Sequence, residues 1–197
     1  MNALLLLACA TTAMRVPEPL ADVEPVALGA RALDLSFDVG ASRVREVRLG
    51  LRVDGETDDP SAAERGKERF TFTVEGAGGA LHAACIQRYV VAEQELRLDC
   101  TSDGSWSPSV VKEFPTFSGE LVAADGSRAA VSAIGALENG WEPNREIGYQ
   151  IGDLAAMELL NRGRIWTAAT LTPEARVGTE AAFAALFLWR EIRRTHA

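Results

Sequence analysis

The chain has 197 residues, of which 47% are hydrophobic and 24% are charged, and its net charge is −8. This composition is typical of a folded domain and excludes an intrinsically disordered protein. The negative charge also argues against nucleic-acid binding, because a phosphate backbone repels an acidic protein.

The first nine residues are the most informative segment. A short apolar run, Leu4–Leu7, is followed by Ala8 and Cys9. The run is far below the roughly 20 residues that a transmembrane helix needs. The pattern resembles the lipobox of bacterial lipoprotein precursors, in which a peptidase cuts before the cysteine. The resemblance implies a signal peptide over residues 1–8, acyl chains on Cys9 and a membrane anchor in the bacterial cell envelope. Because Ala10 is not an aspartate, it also implies sorting to the outer membrane, facing the periplasm or the cell surface.

The next segment, residues 9–30, contains several prolines and alanines without a sustained apolar period. We expect it to be an extended, lipid-anchored tether. The remainder, residues 31–197, is predicted to be a single β-rich domain.

Alternation of apolar and polar residues predicts the first strands. Residues 70–74 alternate phenylalanine or valine with threonine, as in a strand with one buried face. Apolar residues also alternate over 47–53, but Arg43 and Arg45 occupy the same phase upstream. This conflict predicts a bulge, or the start of the strand, near residue 46.

The cysteines point to a disulfide. With Cys9 acylated, Cys85 and Cys100 remain as an even pair, which fits an oxidising compartment. If segments 81–91 and 94–100 form a hairpin, the register that aligns their apolar faces also opposes the two cysteines. Directly opposed residues lie about 4.5–5.5 Å apart at Cα, which permits a disulfide. We predict a bond between Cys85 and Cys100; two buried free thiols are the alternative.

The second half contains further strands and three aromatic residues. Turn residues such as Gly152-Asp153 separate apolar segments as in a meander. Five strands are predicted, at residues 117–124, 128–135, 147–151, 154–160 and 164–169. We expect Trp141, Tyr149 and Trp166 to pack in the core or at its rim, and an exposed ligand-stacking face is the alternative.

The pattern changes at residue 172. Thr172 is a candidate helix cap, and Pro173 suits the first helical position. Residues 181–189 contain no polar side chain, and a helix that is apolar all round must be buried. We therefore predict a C-terminal helix over residues 173–194 that is enclosed on most sides.

These elements predict a mainly β fold, in which an antiparallel meander forms a curved sheet or barrel around the buried C-terminal helix. The alternative is a β-sandwich with the helix packed on one face. In element order, residues 30–195 resemble the tubby C-terminal domain and the related scramblase-like folds. Lipid handling is implied by this fold analogy alone.

Motifs for catalysis or cofactors do not emerge from the sequence. There is no CxxC pair, serine elbow, dinucleotide fingerprint or phosphate loop. His82 faces away from Cys85 on its strand and is expected to be a surface or hydrogen-bonded residue. The acidic segment 54–59 fails the calcium-loop template, because Asp59 and Arg65 stand at its sixth and twelfth positions. It is expected to be a solvated loop, with a loose divalent-cation site as the alternative.

We therefore assign no catalytic residue, no metal ligand and no cofactor. Three functions remain open. The first is an envelope lipoprotein that binds a protein or lipid partner, or is structural, without catalysis. The second is an envelope hydrolase whose site is not visible in the sequence. The third is a lipid-handling protein.

Overall fold

The computed structural model describes residues 13–29, 35–50, 64–90, 95–103, 106–113, 117–123, 125–143, 146–160 and 163–195. Cys9 and the acidic segment 54–59 lie outside these residues. The described strands are β1 (Val26–Ala27), β2 (Phe37–Val39), β3 (Ser42–Leu49), β4 (Glu64–Gly76), β5 (Gly79–Val90), β6 (Glu95–Ser102), β7 (Trp106–Glu113), β8 (Ser118–Ala123), β9 (Arg128–Ile134), β10 (Gly148–Ile151), β11 (Ala155–Glu158) and β12 (Arg164–Thr167). A short 3-10 helix spans Glu18–Leu20, and the helix α1 spans Pro173–Thr195.

The strands pair in one continuous antiparallel order. From β2 to β12 each strand pairs with its successor in the chain, and β1 adds to the far edge beside β12. Short connections between successive strands favour this meander, as predicted. The two edges, β1 and β2, do not pair as strands, so the sheet is not closed into a barrel. One backbone hydrogen bond, from the Gly29 amide to the Asp38 carbonyl at 2.9 Å, links the chain after β1 to β2.

The helix α1 lies against the inner face of the curved sheet. Its first turn is capped by Thr172, whose hydroxyl accepts a hydrogen bond from the Ala175 amide at 3.2 Å. Phe183, Leu186 and Trp189 are buried on different sides of the helix, which confirms the predicted enclosure. Phe187 is only partly buried, against Phe37 at 5.1 Å between ring centroids.

One glycine allows the sheet to approach this helix closely. A Cβ atom at Gly178 would lie 2.0 Å from the ring of Trp106 on β7. Real Cβ atoms do not approach so near, so a side chain at position 178 would displace Trp106. The absence of a side chain at Gly178 therefore makes room on α1 for the ring of Trp106.

The predicted disulfide hairpin is present. Cys85 on β5 and Cys100 on β6 are bonded, with their Cα atoms 4.0 Å apart, and both are buried in the inner core. The register pairs Cys85 with Cys100 and Tyr89 with Leu96, as the alignment of apolar faces predicts.

The bulge predicted near residue 46 is also present. The β3–β4 register shifts between Arg45 and Arg48. Glu46, within the shift, has a φ of +53°, a conformation that residues other than glycine rarely adopt. Phe70, Phe72 and Val74 are buried as expected, whereas Leu49 at the end of β3 is 51% exposed.

The predicted tether ends too late in the chain. Residues 13–29 pack on the sheet: Met14 and Leu20 are fully buried, and β1 pairs with β12. The folded domain therefore begins by Ala13, and the expected boundary at residue 30 is wrong. The prolines at 17, 19 and 25 do not prevent packing, because Met14, Leu20 and Leu28 before, between and after them are buried.

The packed N-terminal segment completes a second apolar cluster. We call it the outer cluster, and its buried members are Met14, Leu20, Leu137, Ile147, Ala156 and Trp166. Ala156 and Trp166 alternate along β11 and β12 with Met157 and Ile165, which belong to the core around α1. Successive strand residues point to opposite faces, so the two clusters lie on opposite faces of the sheet.

The five later strands are confirmed, as β8 to β12, with ends that differ from the prediction by at most two residues. The three aromatic residues behave differently from one another. Tyr149 and Trp166 are buried, whereas Trp141 is 62% exposed.

Candidate functional site

A groove of about 510 Å³ crosses the outer face of strands β3 to β6. Its polar lining comes from four neighbouring strands or their ends. This polar lining includes Glu46, Arg48, Thr71, Thr73, His82, Thr101 and Asp103.

Strand alternation and register bring these residues together. Thr73 pairs with His82 across β4 and β5, and Thr71 pairs with Ala84, which in turn pairs with Thr101 on β6. The intervening residues point inward to the core, so the polar row points outward. The small side chain of Ala84 leaves room at the centre of this row.

The β-bulge forms one wall of the groove. It turns the exposed Glu46 towards β4, where the Glu46 carboxylate accepts a hydrogen bond from the Thr73 hydroxyl at 3.0 Å. A left-handed backbone at a residue other than glycine costs about 1–2 kcal/mol. The fold therefore carries local strain at a residue that lines the groove, and such strain is concentrated at functional sites.

Hydrogen bonds continue from this carboxylate across the groove. Thr73 Oγ1 lies 2.8 Å from Nδ1 of His82. A hydroxyl has a single proton, which Thr73 gives to Glu46, so it must accept from His82. The proton of neutral His82 is therefore on Nδ1, and Nε2 is the acceptor.

Asp103 contacts His82 at its backbone amide and lies near its Nε2 atom. Its Oδ1 accepts a hydrogen bond from the His82 amide at 2.9 Å, and its Oδ2 lies 4.0 Å from His82 Nε2. The His82 side chain is 61% exposed. This confirms the expectation of a surface, hydrogen-bonded histidine and leaves Nε2 beside the groove for a ligand.

The row of threonine, histidine and aspartate does not have the geometry of a catalytic triad. Thr73 is only 4% exposed, and its hydroxyl is engaged on both sides. The separation of 4.0 Å between Asp103 and His82 Nε2 exceeds a hydrogen bond. A nucleophile must reach its substrate, and Thr73 does not. The arrangement is suited to polar recognition.

Sequence reasoning found His82 but missed Glu46, Thr73 and Asp103 as its neighbours. Two signals could have found them. The two-residue turn at Ala77-Gly78 sets the hairpin register that pairs Thr73 with His82, and the register that pairs the two cysteines also sets Asp103 beside His82. The predicted bulge marked Glu46, although its contact with Thr73 depends on the three-dimensional path of the bulge.

Glu158 and Glu180 are buried glutamates outside the groove, and each accepts hydrogen bonds from a segment that is distant in the chain. Glu158 accepts hydrogen bonds from the Met14 amide at 2.8 Å and from Arg164 at 2.7 Å. Glu180 on α1 accepts one from the Ala41 amide at 2.9 Å and another from the Ser42 hydroxyl. Burial raises the pKa of Glu180, against the opposing effect of these hydrogen bonds.

Among the described residues, no group of three or more histidine, cysteine, aspartate or glutamate side chains could hold a metal ion. Within the same part of the chain, no helix combines the length and the apolar character needed to cross a membrane. Compared with family models, with curated proteins and with solved structures, the chain matches none of them.

Proposed function

We propose that this protein is a lipoprotein of the bacterial envelope, anchored through acylated Cys9, whose domain binds a ligand without catalysis. The lipobox-like run before Cys9 supports the anchor. The Cys85–Cys100 disulfide supports an oxidising compartment, where such bonds persist. The strained Glu46, at the wall of the polar groove, is the observation that carries the binding role.

The chemistry of the groove favours a ligand with hydrogen-bonding groups and a positive charge. Glu46 and Asp103 supply two carboxylates, against one guanidinium from Arg48. Thr71 and Thr101 add exposed hydroxyls. The volume lies within the range of ligand sites, roughly 300–1,000 Å³. A short basic peptide segment of a partner protein fits this description.

Acyl labelling tests the anchor. The full precursor is expressed in a bacterium with a labelled fatty acid, beside a Cys9→Ser variant. Label should appear on the parent and be lost in the variant, because Cys9 is the proposed acceptor. Equal labelling of both proteins would show that the anchor assignment is wrong.

Peptide binding tests the groove. Short peptides that contain lysine or arginine are compared with matched peptides that contain glutamine, by titration against the full chain. Asp103→Asn should weaken binding of the basic peptides selectively. Glu120→Gln is a matched control, because Glu120 is an exposed carboxylate on β8, paired with Arg128 and outside the groove. Equal binding of both peptide sets would contradict the proposal.

The strain at Glu46 gives a second test. Glu46→Gly removes the carboxylate but suits the left-handed backbone, because glycine adopts positive φ without a steric penalty. It should lower peptide affinity while maintaining or raising the free energy of unfolding. A residue kept for stability would show the opposite, a loss of stability on replacement.

A hydrolase is the second candidate, favoured by the contact between His82 and Thr73. The burial of Thr73 opposes it, because a nucleophile must reach its substrate. Turnover of small chromogenic esters that disappears in His82→Ala would favour the hydrolase over the binding domain. Lipid handling rests on the resemblance in element order, and the polar lining of this groove does not add support to it.

A further inference from the structure

The loop around Leu137–Trp141 lies where the chain enters the domain. The Ala13 carbonyl accepts a hydrogen bond from the Glu138 amide at 3.0 Å, and the Arg15 amide donates to Ala136 at 2.9 Å. Met14 and Leu137 form a β-bridge. Any membrane anchor before Ala13 therefore reaches the domain beside this loop.

Trp141 projects from a turn that is held by its own hydrogen bonds. Its carbonyl accepts from the Leu137 amide at 2.9 Å, and its amide donates to the Asn139 side chain at 3.0 Å. Its side chain is nevertheless 62% exposed, more than that of Leu49, Val26 or Tyr89. A tryptophan presented in this way leaves a large apolar area in water. The amphipathic indole is enriched at membrane interfaces, where this area is covered and its N–H remains hydrated.

The length of the chain between the anchor and the domain restricts where the loop can lie. Three residues separate Cys9 from Ala13. Even a fully extended chain spans at most about 14 Å over those four steps. Acyl chains on Cys9 would place that residue at the membrane surface, so Ala13 and the neighbouring loop would stay close to the lipid headgroups.

We propose that the loop Leu137–Trp141 rests on the bilayer and that Trp141 inserts among the headgroups, as a second contact beside the lipid anchor. This inference rests on the proposed acylation of Cys9. Glu138 and Glu142 are exposed and stand three residues before and one residue after Trp141, against the guanidinium of Arg15 beside Gly140, so the loop suits zwitterionic phospholipid better than an anionic surface. The contact fixes the face that the domain turns towards the membrane.

Fluorescence quenching on tethered vesicles tests the inference. Because Cys85 and Cys100 are bonded to each other, Cys9 is the remaining thiol and can be coupled to a maleimide lipid. The full chain is coupled to vesicles of brominated phosphatidylcholine, in which bromine quenches nearby indoles. Emission should be quenched and shifted to shorter wavelength, and both effects should be lost in Trp141→Phe. Trp166 and Trp189 are buried and Trp106 is partly buried against α1, so these three tryptophans should contribute little to the change.

The matched control moves the indole elsewhere. Leu49→Trp in the Trp141→Phe background places an exposed tryptophan on β3, at a position that is 51% exposed in the parent. It should escape quenching. Absent quenching in the parent, or equal quenching of the relocated indole, would overturn the inference. Chemical coupling makes this result independent of acylation in the cell, so absent quenching counts against the loop contact alone, whereas failure of the acyl-labelling experiment removes the anchor on which both proposals rest.

Discussion

The two faces of the sheet bury apolar surface in different ways. The inner face encloses α1, which contacts β2, β3, β4, β5 and β7, so its core joins elements far apart in the chain. The outer cluster is closed instead by one N-terminal segment, through Met14 and Leu20. The inner core therefore joins most elements of the fold, whereas the outer cluster attaches a single segment to the other face of the sheet.

The outer attachment depends on a few specific bonds. Glu158 receives the Met14 amide and the Arg164 side chain, and its hydrogen bond is the main cause that raises the pKa of Arg164. Because the bond from the Met14 amide to Glu158 joins one terminal segment to the sheet, we expect it to open locally. Loss of an inner-core contact should instead destabilise the whole domain.

The largest expected effect is in the inner core. Phe183→Ala should lower the free energy of unfolding by about 3–5 kcal/mol, the usual cost of truncating a buried phenylalanine. Phe183 is fully buried on α1. Phe187→Ala is the matched control on the same helix, where the side chain is partly exposed and its loss should cost less. Denaturant unfolding of both variants measures the difference, and equal losses would contradict the enclosure of α1 by the sheet.

The disulfide should have the next largest effect. Cys85 and Cys100 are 15 residues apart, and closing a loop of that length stabilises a domain by about 3 kcal/mol. With Cys9→Ser in all samples, addition of a reductant should lower the melting temperature. The same reductant should leave a Cys85→Ala, Cys100→Ala protein unchanged. Insensitivity of the parent would mean that the bond does not constrain the unfolded chain.

The inner core could be predicted from the sequence to a large extent, because its signals are local and periodic. The all-apolar run 181–189 required an enclosed helix, and the apolar phase of β5 and β6 set the cysteine register. The burial of residues 13–29 was not predictable in the same way, because their apolar residues follow no strand or helix period. Whether β1 and β2 pair to close the sheet depends on its curvature, which no single segment encodes.

In the candidate site, too, some features follow from local sequence patterns and others depend on the three-dimensional path of the chain. His82 and the bulge near residue 46 could be located from alternation alone. The contact of Glu46 with Thr73 depends on the left-handed backbone of Glu46 itself. A glycine at this position would have indicated such a backbone in the sequence, but a glutamate does not.

A smaller, local effect is expected in the outer cluster. Met14→Ala removes a fully buried side chain and should cost about 2 kcal/mol, the lower end for such truncations, because a terminal segment can close on the vacancy. Hydrogen exchange should accelerate at the amides of Met14, Arg15 and Glu138, while amides of β4 and β5 stay protected. Uniform acceleration across the sheet would show instead that both faces unfold as one unit.

The smallest effect is a pH dependence within the inner core. Burial of Glu180 is the main cause that raises the pKa of this carboxyl above its ordinary value of 4.5, while Ser42, Ala41 and nearby Arg176 act in the opposite direction. Above pH 4.5 the folded state therefore holds this proton more tightly than the unfolded state, so stability falls as pH rises towards the raised pKa.

Glu180→Gln cannot lose a proton and removes that slope. Its free energy of unfolding, relative to the parent, should rise with pH through this window and then level off. Glu174→Gln, at an exposed position on the same helix, is the matched control. A constant difference between Glu180→Gln and the parent from pH 4 to 8 would show that Glu180 enters the fold already ionised, with its hydrogen bonds compensating fully for burial.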